Sequence, residues 1–234
     1  MSFQFIWDFD NTLIDENTDT YIIKTLDSGI YQCFVDTNKH YEWNIMMDMS
    51  MGWLYAGRYT IDDIKNGFKD IPIDIDTINI IKKYNSLDHK MYIVSDSNTF
   101  FIDTVLDNLT LKHCFDQIHT NPVLIENGRL RIKPYHNEEI MGPHKCKTCR
   151  RNMCKGLIVN NLNLDSNKPI IYLGDGKGDY CPIMKLKKTD YALVRKGYQL
   201  HNILNNATPD EFPIANIYYW ENGNDIKNYL DTII

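Results

Sequence analysis

No apolar run in this 234-residue chain approaches the roughly 18 residues of a membrane-spanning helix. Basic residues are outnumbered, 25 Lys and Arg against 31 Asp and Glu for a net charge of −6, so the composition offers no basic surface for a nucleic acid. The six cysteines are scattered along the chain, the usage of a reducing compartment rather than of a disulfide framework. The first residues are strand-like and then acidic, unlike a secretory signal, and no internal repeat is visible. These absences lead to the expectation of a cytoplasmic protein that engages neither nucleic acid nor membrane. What is present is an apolar share of 43%, enough to bury a full core in one domain with an inserted lobe.

The most informative stretch is Phe5-Ile6-Trp7-Asp8-Phe9-Asp10-Asn11-Thr12. Phe3 to Trp7 reads as a buried strand, with Asp8 and Asp10 at its carboxyl end, the edge where open α/β sheets bind ligands. Two carboxylates one residue apart repel unless a cation or a proton separates them. Bound Mg²⁺ would resolve this, leaving one carboxylate free for nucleophilic attack. Asp and Asn also end strands in simple turns, and these residues alone leave both readings open.

The rest of the chain supplies the context. Thr18 to Asp27 reads as the start of a helix. From about Tyr31 to Pro72 the periodicity is helical, through Trp43, Met46, Met47, Met49, Trp53 and Leu54, without a convincing strand. Asp76 is expected to cap a helix to Leu87 that feeds a strand over Met91 to Val94, and Thr99 to Leu109 is expected to be helical. Asn127-Gly128 between two apolar triplets signals a hairpin, expected at the sheet edge. Met153 to Leu162 reads as a helix, Pro169 to Leu173, Ala192 to Val194 and Ile217 to Trp220 as strands, and the chain closes with a helix to about Leu230. Strands alternating with helices predict an α/β fold with a doubly wound, mostly parallel sheet and a small helical cap inserted after the first strand. The expected division is a core of residues 1–28 and 76–234 and a cap of residues 29–75.

Three of these strands end in reactive side chains: Asp8-Phe9-Asp10, Ser95-Asp96-Ser97-Asn98, and Gly174-Asp175-Gly176-Lys177-Gly178-Asp179, with Lys155 opening the helical segment between the last two. Each loop alone has a turn explanation, but a hydroxyl, a lysine and several acids delivered to one edge point to a catalytic constellation. Asp8-Phe9-Asp10-Asn11-Thr12 resembles the first motif of the haloacid dehalogenase superfamily of phosphatases. Ser95 resembles its second motif, Lys155 its third, and Gly174-Asp175 with Asp179 its fourth. More specifically, Asp15 to Asp19, Ser95 to Ile102, Asn152-Met153-Cys154-Lys155-Gly156 and Gly174 to Pro182 resemble the phosphoethanolamine/phosphocholine phosphatases, a family that includes pyridoxal-phosphate phosphatases.

The resemblance implies a Rossmann-like fold and a Mg²⁺-dependent phosphomonoesterase for a small phosphorylated metabolite. Phosphoethanolamine or phosphocholine is the leading expectation; pyridoxal phosphate, thiamine monophosphate and a noncatalytic phospholigand-binding protein are the alternatives. It makes Asp8 the nucleophile and Asp10 the acid and base. Ser95 and Lys155 become phosphoryl ligands, and Asp8, Asp10 (through its carbonyl) and Asp175 the Mg²⁺ ligands. Asp179 would orient the metal waters or Lys155, and Asp19 and Asp96 would receive the substrate's non-phosphate end. A carboxylate pair suits an ammonium group. Trp43, Trp53 and Tyr55 would wall a quaternary ammonium, or pack between the cap's own helices. The sequence departs from the family at Asn11 and at Lys177-Gly178. Monomer and homodimer are both compatible with the composition.

His144, Cys146, Cys149 and Cys154 have the proximity of a compact Zn²⁺ knuckle. The His-x-Cys spacing and the lack of a second Cys-x₂-Cys pair favour reduced thiols packed near the active-site helix. Bound zinc would brace the segment carrying Lys155.

Overall fold

The computed structural model describes residues 2–234. Strand β1 (Gln4–Trp7) is buried along its whole length. It is followed by helices α1 (Thr18–Leu26), α2 (Ser28–Thr37), α3 (Trp43–Ala56), α4 (Ile61–Gly67) and α5 (Ile75–Ser86). Then come β2 (Lys90–Asn98), α6 (Thr99–Asn108), β3 (Gln117–Asn121), the pair β4 (Val123–Glu126) and β5 (Arg129–Ile132), and α7 (Glu138–Met141). The chain closes with α8 (Lys155–Asn161), β6 (Ile170–Gly174), α9 (Lys177–Ile183), β7 (Tyr191–Arg195), α10 (Gln199–Asn205), β8 (Asn216–Trp220) and α11 (Gly223–Ile233). Among the described residues no helix is long and apolar enough to cross a membrane.

Six strands form one sheet in the order β3-β2-β1-β6-β7-β8, and every neighbouring pair is parallel. β1 sits centrally, with later strands added first on one side and then on the other. This strand-order reversal opens a crevice at the carboxyl ends of β1, β2 and β6. Alternation along the strands splits the core into two layers. Phe5, Trp7, Ile93 and Leu173 face one side; Ile6, Val94 and Tyr172 face the other.

The helical insertion between β1 and β2 does not bury a core of its own. Phe34, Met46, Met51, Leu54 and Phe68 belong to the same buried cluster as Phe5 and Trp7, and the Phe68 ring lies 5.0 Å from that of Phe101 on α6. The apolar periodicity of Trp43 to Leu54 thus reflects a helix packed against α1, α2 and the β4–β5 pair, its apolar face joined to that common cluster.

Several local expectations need correction. The cap of α5 is Asp74, whose carboxylate accepts from Asp76 N at 2.8 Å and from Gly223 N at 2.7 Å, so it also ties down α11. Ser95 to Asn98 are part of β2, where a register shift against β3 falls between Val94 and Asn98. β3 itself is an edge strand of sequence Gln-Ile-His-Thr-Asn, too polar to register as an apolar run. The hairpin forms about Asn127-Gly128 as expected but does not decorate the sheet edge. It docks on α3, where Asp48 accepts from Arg129, from Arg131 Nε at 3.1 Å and from Ile132 N at 2.9 Å. A single carboxylate accepting from two guanidinium groups and a backbone amide, in charge-assisted bonds, fixes the hairpin on α3.

Candidate active site

The site grows from the end of β1. Asp8 N donates to the Leu173 carbonyl of β6 at 2.9 Å, which holds the Asp8 backbone at the sheet edge. Its Oδ1 accepts from Phe9 N at 2.7 Å and lies 2.7 Å from Lys155 Nζ, the first residue of α8. Lys155 donates equally closely, at 2.8 Å, to Asp179 Oδ1. Asp179 is wholly buried and saturated: Oδ1 also accepts from Tyr172 OH at 2.6 Å, and Oδ2 accepts from Asp175 N at 3.2 Å and Gly176 N at 2.9 Å. Gly174 makes this packing feasible, because a Cβ there would stand 2.6 Å from Asp179 Cγ. Asp175 accepts from Thr12 Oγ1 at 3.3 Å.

Asp10 points toward the start of α1. Its Oδ1 accepts from Thr18 N and its Oδ2 from Asn17 Nδ2, each at 3.0 Å. Asn17 meanwhile caps the helix by accepting from Thr20 N, so one amide side chain both starts α1 and aims Asp10. The intervening Asn11 has φ of 51°, a left-handed conformation that Asn tolerates better than most residues. Arg195 fixes this turn by donating to the Asn11 carbonyl and to Asp15, both at 2.7 Å.

Charge in this pocket is unbalanced. Asp8, Asp10, Asp175 and Asp179 are all buried around the single buried Lys155. Burial, and then Asp179, push the Asp8 carboxyl well above its ordinary range while Lys155 pulls it back. Burial and Asp19 raise Asp10, opposed by the Thr18 amide. Asp175 is raised to about 8 by burial and Asp179. Burial works against the Lys155 ammonium, but Asp179 and Asp8 hold it above its ordinary value. The carboxylate oxygens of Asp8, Asp175 and Asp179 can come within 4.8 Å of one another. Oxygen donors with excess negative charge fit a hard divalent cation such as Mg²⁺. Asp179 already has four partners, so Asp8 and Asp175 are the carboxylates free to hold it.

These groups line the floor of a cavity of about 610 Å³. Asp8, Asp10, Lys155, Asp175 and Asp179 all border it, as does Asp96. Ser95 lies in the adjoining strand, fully buried, with its Oγ accepting from Ser97 N at 3.3 Å. Asp19 is also set back. Its Oδ2 accepts from the Trp43 indole at 2.6 Å, while Oδ1 is buried without a partner. Burial raises its carboxyl to about 7; the indole and Arg150 lower it and Asp96 raises it.

The cavity's outer end therefore differs from a simple carboxylate pair. Asp96 faces it with its side chain 39% exposed and Arg150 Nη1 3.9 Å away. The Arg150 guanidinium lies over Trp43 at 5.4 Å. Of the three aromatics proposed as a cation wall, Trp43 alone borders the cavity, and the chain's own cation already lies over it. Trp53 packs against the core, and Tyr55 is exposed beside a separate surface groove.

Sequence reasoning missed Arg150, Tyr172, Asn17 and Arg195. Arg195 ends β7 as Asp8 ends β1, so the rule that placed the acids would also have flagged it. Asn17 has the position of a helix cap. Arg150 sits in an irregular stretch, and nothing local marks it. His144 stands apart from the nearby cysteines, donating through Nε2 to the Arg150 carbonyl at 2.8 Å.

The model of the family described as "Putative Phosphatase" matches residues 3–234. The chain is 40% identical to a thiamine phosphate phosphatase-like protein of Arabidopsis thaliana over 83% of its own length and 81% of that protein's. It is 36% identical to inorganic pyrophosphatase 2 of the same plant, over 98% and 82% of the two chains. A substrate-bound phosphoserine phosphatase structure superposes with a TM-score of 0.62 at 13% identity, covering 98% of each chain, and so shares the fold. A family match over nearly the whole chain, joined to a Rossmann-like sheet that gathers these acids and Lys155 at one edge, makes the chain a member of this phosphatase family within the haloacid dehalogenase superfamily, an enzyme that hydrolyses phosphate esters.

Proposed function

We propose that the chain is a Mg²⁺-dependent phosphomonoesterase for a small metabolite whose non-phosphate end carries a positively charged nitrogen, a class that includes phosphoethanolamine, phosphocholine and thiamine monophosphate. The observation that carries the chemistry is Lys155, held between Asp8 at 2.7 Å and Asp179 at 2.8 Å on the cavity floor. An ammonium so placed keeps one N–H donor for a phosphoryl oxygen and leaves the second Asp8 oxygen open for attack.

In this mechanism Asp8 attacks phosphorus and the bond to the leaving oxygen breaks, giving an aspartyl phosphate. Asp10, whose carboxyl burial raises above its ordinary range, is placed to give a proton to the leaving oxygen. It then takes a proton from the water that attacks phosphorus and releases Asp8. Asp179 positions Lys155, and Ser95 closes the phosphate pocket from β2. Asp8, Asp175 and the Asp10 carbonyl would hold Mg²⁺, which supplies charge neutralisation for the phosphoryl group.

Asp96, which borders the cavity, supports a cationic head group, with the buried Asp19 carboxyl set behind Trp43. A second reading, pyrophosphate, is favoured by Arg150 and Lys177, which also border the cavity and would receive a second phosphate. Phosphate release should be measured from phosphoethanolamine, phosphocholine, thiamine monophosphate, pyridoxal phosphate and pyrophosphate, with Mg²⁺ and with chelator, beside Asp8→Asn. Preference for the three cationic substrates, lost in the variant, is the expected result. Preference for pyrophosphate transfers specificity to Arg150 and Lys177, and Mg²⁺-independent release that persists in Asp8→Asn would refute the mechanism.

A further inference from the structure

Against the wall of the active-site cavity, which Cys149 itself borders, lies a second cluster, made of sulfur. Cys146 and Cys149 come from the irregular stretch before α8, Cys154 directly precedes Lys155, and Cys181 lies on α9 two residues beyond Asp179. Their four Sγ atoms all fall within 4.8 Å of one another. Cys181 Sγ is 3.7 Å from Cys146 Sγ and 3.9 Å from Cys154 Sγ. A tetrahedral ZnS₄ centre with Zn–S bonds of about 2.3 Å requires sulfur–sulfur edges of about 3.8 Å. The remaining cysteines take no part: Cys33 is exposed, and Cys114 lies beside His113.

Two further features favour a built centre over accidental packing of thiols. Four donors from two separate segments, the stretch running up to α8 and helix α9, converge, although a Cys-x₂-Cys pair alone would satisfy a simple redox function. The approach of α9 to α8 also depends on Gly156, where a Cβ would stand 2.5 Å from Cys181 Sγ. The fourth donor is the one the sequence did not reveal. His144 faces the Arg150 carbonyl, and Cys181, 27 residues beyond Cys154, takes the place that a local reading would have offered to the imidazole.

We propose that Cys146, Cys149, Cys154 and Cys181 bind one structural Zn²⁺ that joins α8 to α9. The closed set of four thiolates leaves no open position for substrate, as is usual for structural rather than catalytic zinc. Its effect on the reaction is mechanical. Cys154 adjoins Lys155, and Cys181 is one helical half-turn from Asp179, so the ion would set the distance across which Lys155 and Asp179 make their 2.8 Å contact. The site is separate from the oxygen-rich cluster, and the proposal does not depend on the substrate or on the Mg²⁺ chemistry.

The test is the metal content of the full chain, purified under reducing conditions without chelator and measured by elemental analysis. One zinc per chain is expected in the parent, in Cys33→Ser and in Asp175→Asn, with loss of that zinc in Cys181→Ser. Should Cys181→Ser fail to fold, the parent protein can be stripped and titrated with Co²⁺. One equivalent should produce a thiolate-to-cobalt charge-transfer band with tetrahedral d–d bands, abolished by prior thiol alkylation. A parent without zinc that also takes up Co²⁺ with no thiolate band would overturn the proposal. So would zinc lost in Asp175→Asn but kept in Cys181→Ser, or iron found in the sulfur site.

Discussion

The two ends of the active-site cavity are built on different principles. At the phosphate end the central groups have fixed partners: Lys155 lies between Asp8 and Asp179, and Asp179 itself has four donors. At the outer end Asp96 is half exposed, its contact with Arg150 is stretched to 3.9 Å, and an oxygen of Asp19 has no partner. Buried, saturated groups are preorganised and cost no rearrangement during the reaction. Loosely held groups near solvent can re-pair when a substrate arrives. In the proposed function the chemistry is thus held by strand ends and helix starts, and the head-group selection by Asp96 of β2 together with side chains of the insertion and of the stretch before α8.

The comparison is broken most severely at the phosphate end. Asp8→Asn removes the nucleophile and should reduce phosphate release about 10⁴-fold or more, measured as initial rate at saturating substrate. Lys155→Ala should lower kcat about 10²–10³-fold. It should also destabilise the protein by about 3–5 kcal/mol, because Asp8 and Asp179 lose their buried counter-ion. Denaturant melts beside the kinetics check both, and an unchanged midpoint would show that the pair is not the buried unit described here.

Changes at the outer end should be smaller and should move KM rather than kcat. Asp96→Ala is expected to raise KM for phosphocholine about 3–10-fold, and Arg150→Ala to lower it, with reversed effects for pyrophosphate. Equal shifts for both substrates would erase the proposed division of labour. A further effect, on stability alone, concerns Asp19, whose carboxyl is raised to about 7 when folded against about 3.9 in an unfolded chain. Between these values the folded protein retains a proton that the unfolded chain releases, so this group's contribution to stability falls as pH rises from about 4 to about 7. Asp19→Asn should remove that decline, and its melting temperature relative to the parent should rise across that window and level off above it.

Much of the phosphate end was legible in the chain. Asp8, Asp10, Asp175 and Asp179 follow apolar strand signals directly, and Lys155 opens a helix whose periodicity is visible. These are short-range patterns, because a strand's alternation and a helix's start are set within a few residues. The outer end was less legible. Asp19 carries the acid expected of it but faces an indole, and Trp43 and Arg150 meet across a separation of more than a hundred residues with no local pattern to announce it.

Taken by itself, the sequence determined the α/β class, the parallel alternation and the edge at which the reactive groups collect, because backbone periodicity and turn chemistry are written locally. The tertiary structure alone decided that the hairpin docks on Asp48 rather than extending the sheet. It also decided that Tyr172 completes the shell of Asp179 and that Cys181 joins the three cysteines near Lys155. None of these is written in a local periodicity, and the hairpin and Cys181 contacts join segments far apart in the chain; all are settled by which surfaces pack together once the whole core has formed.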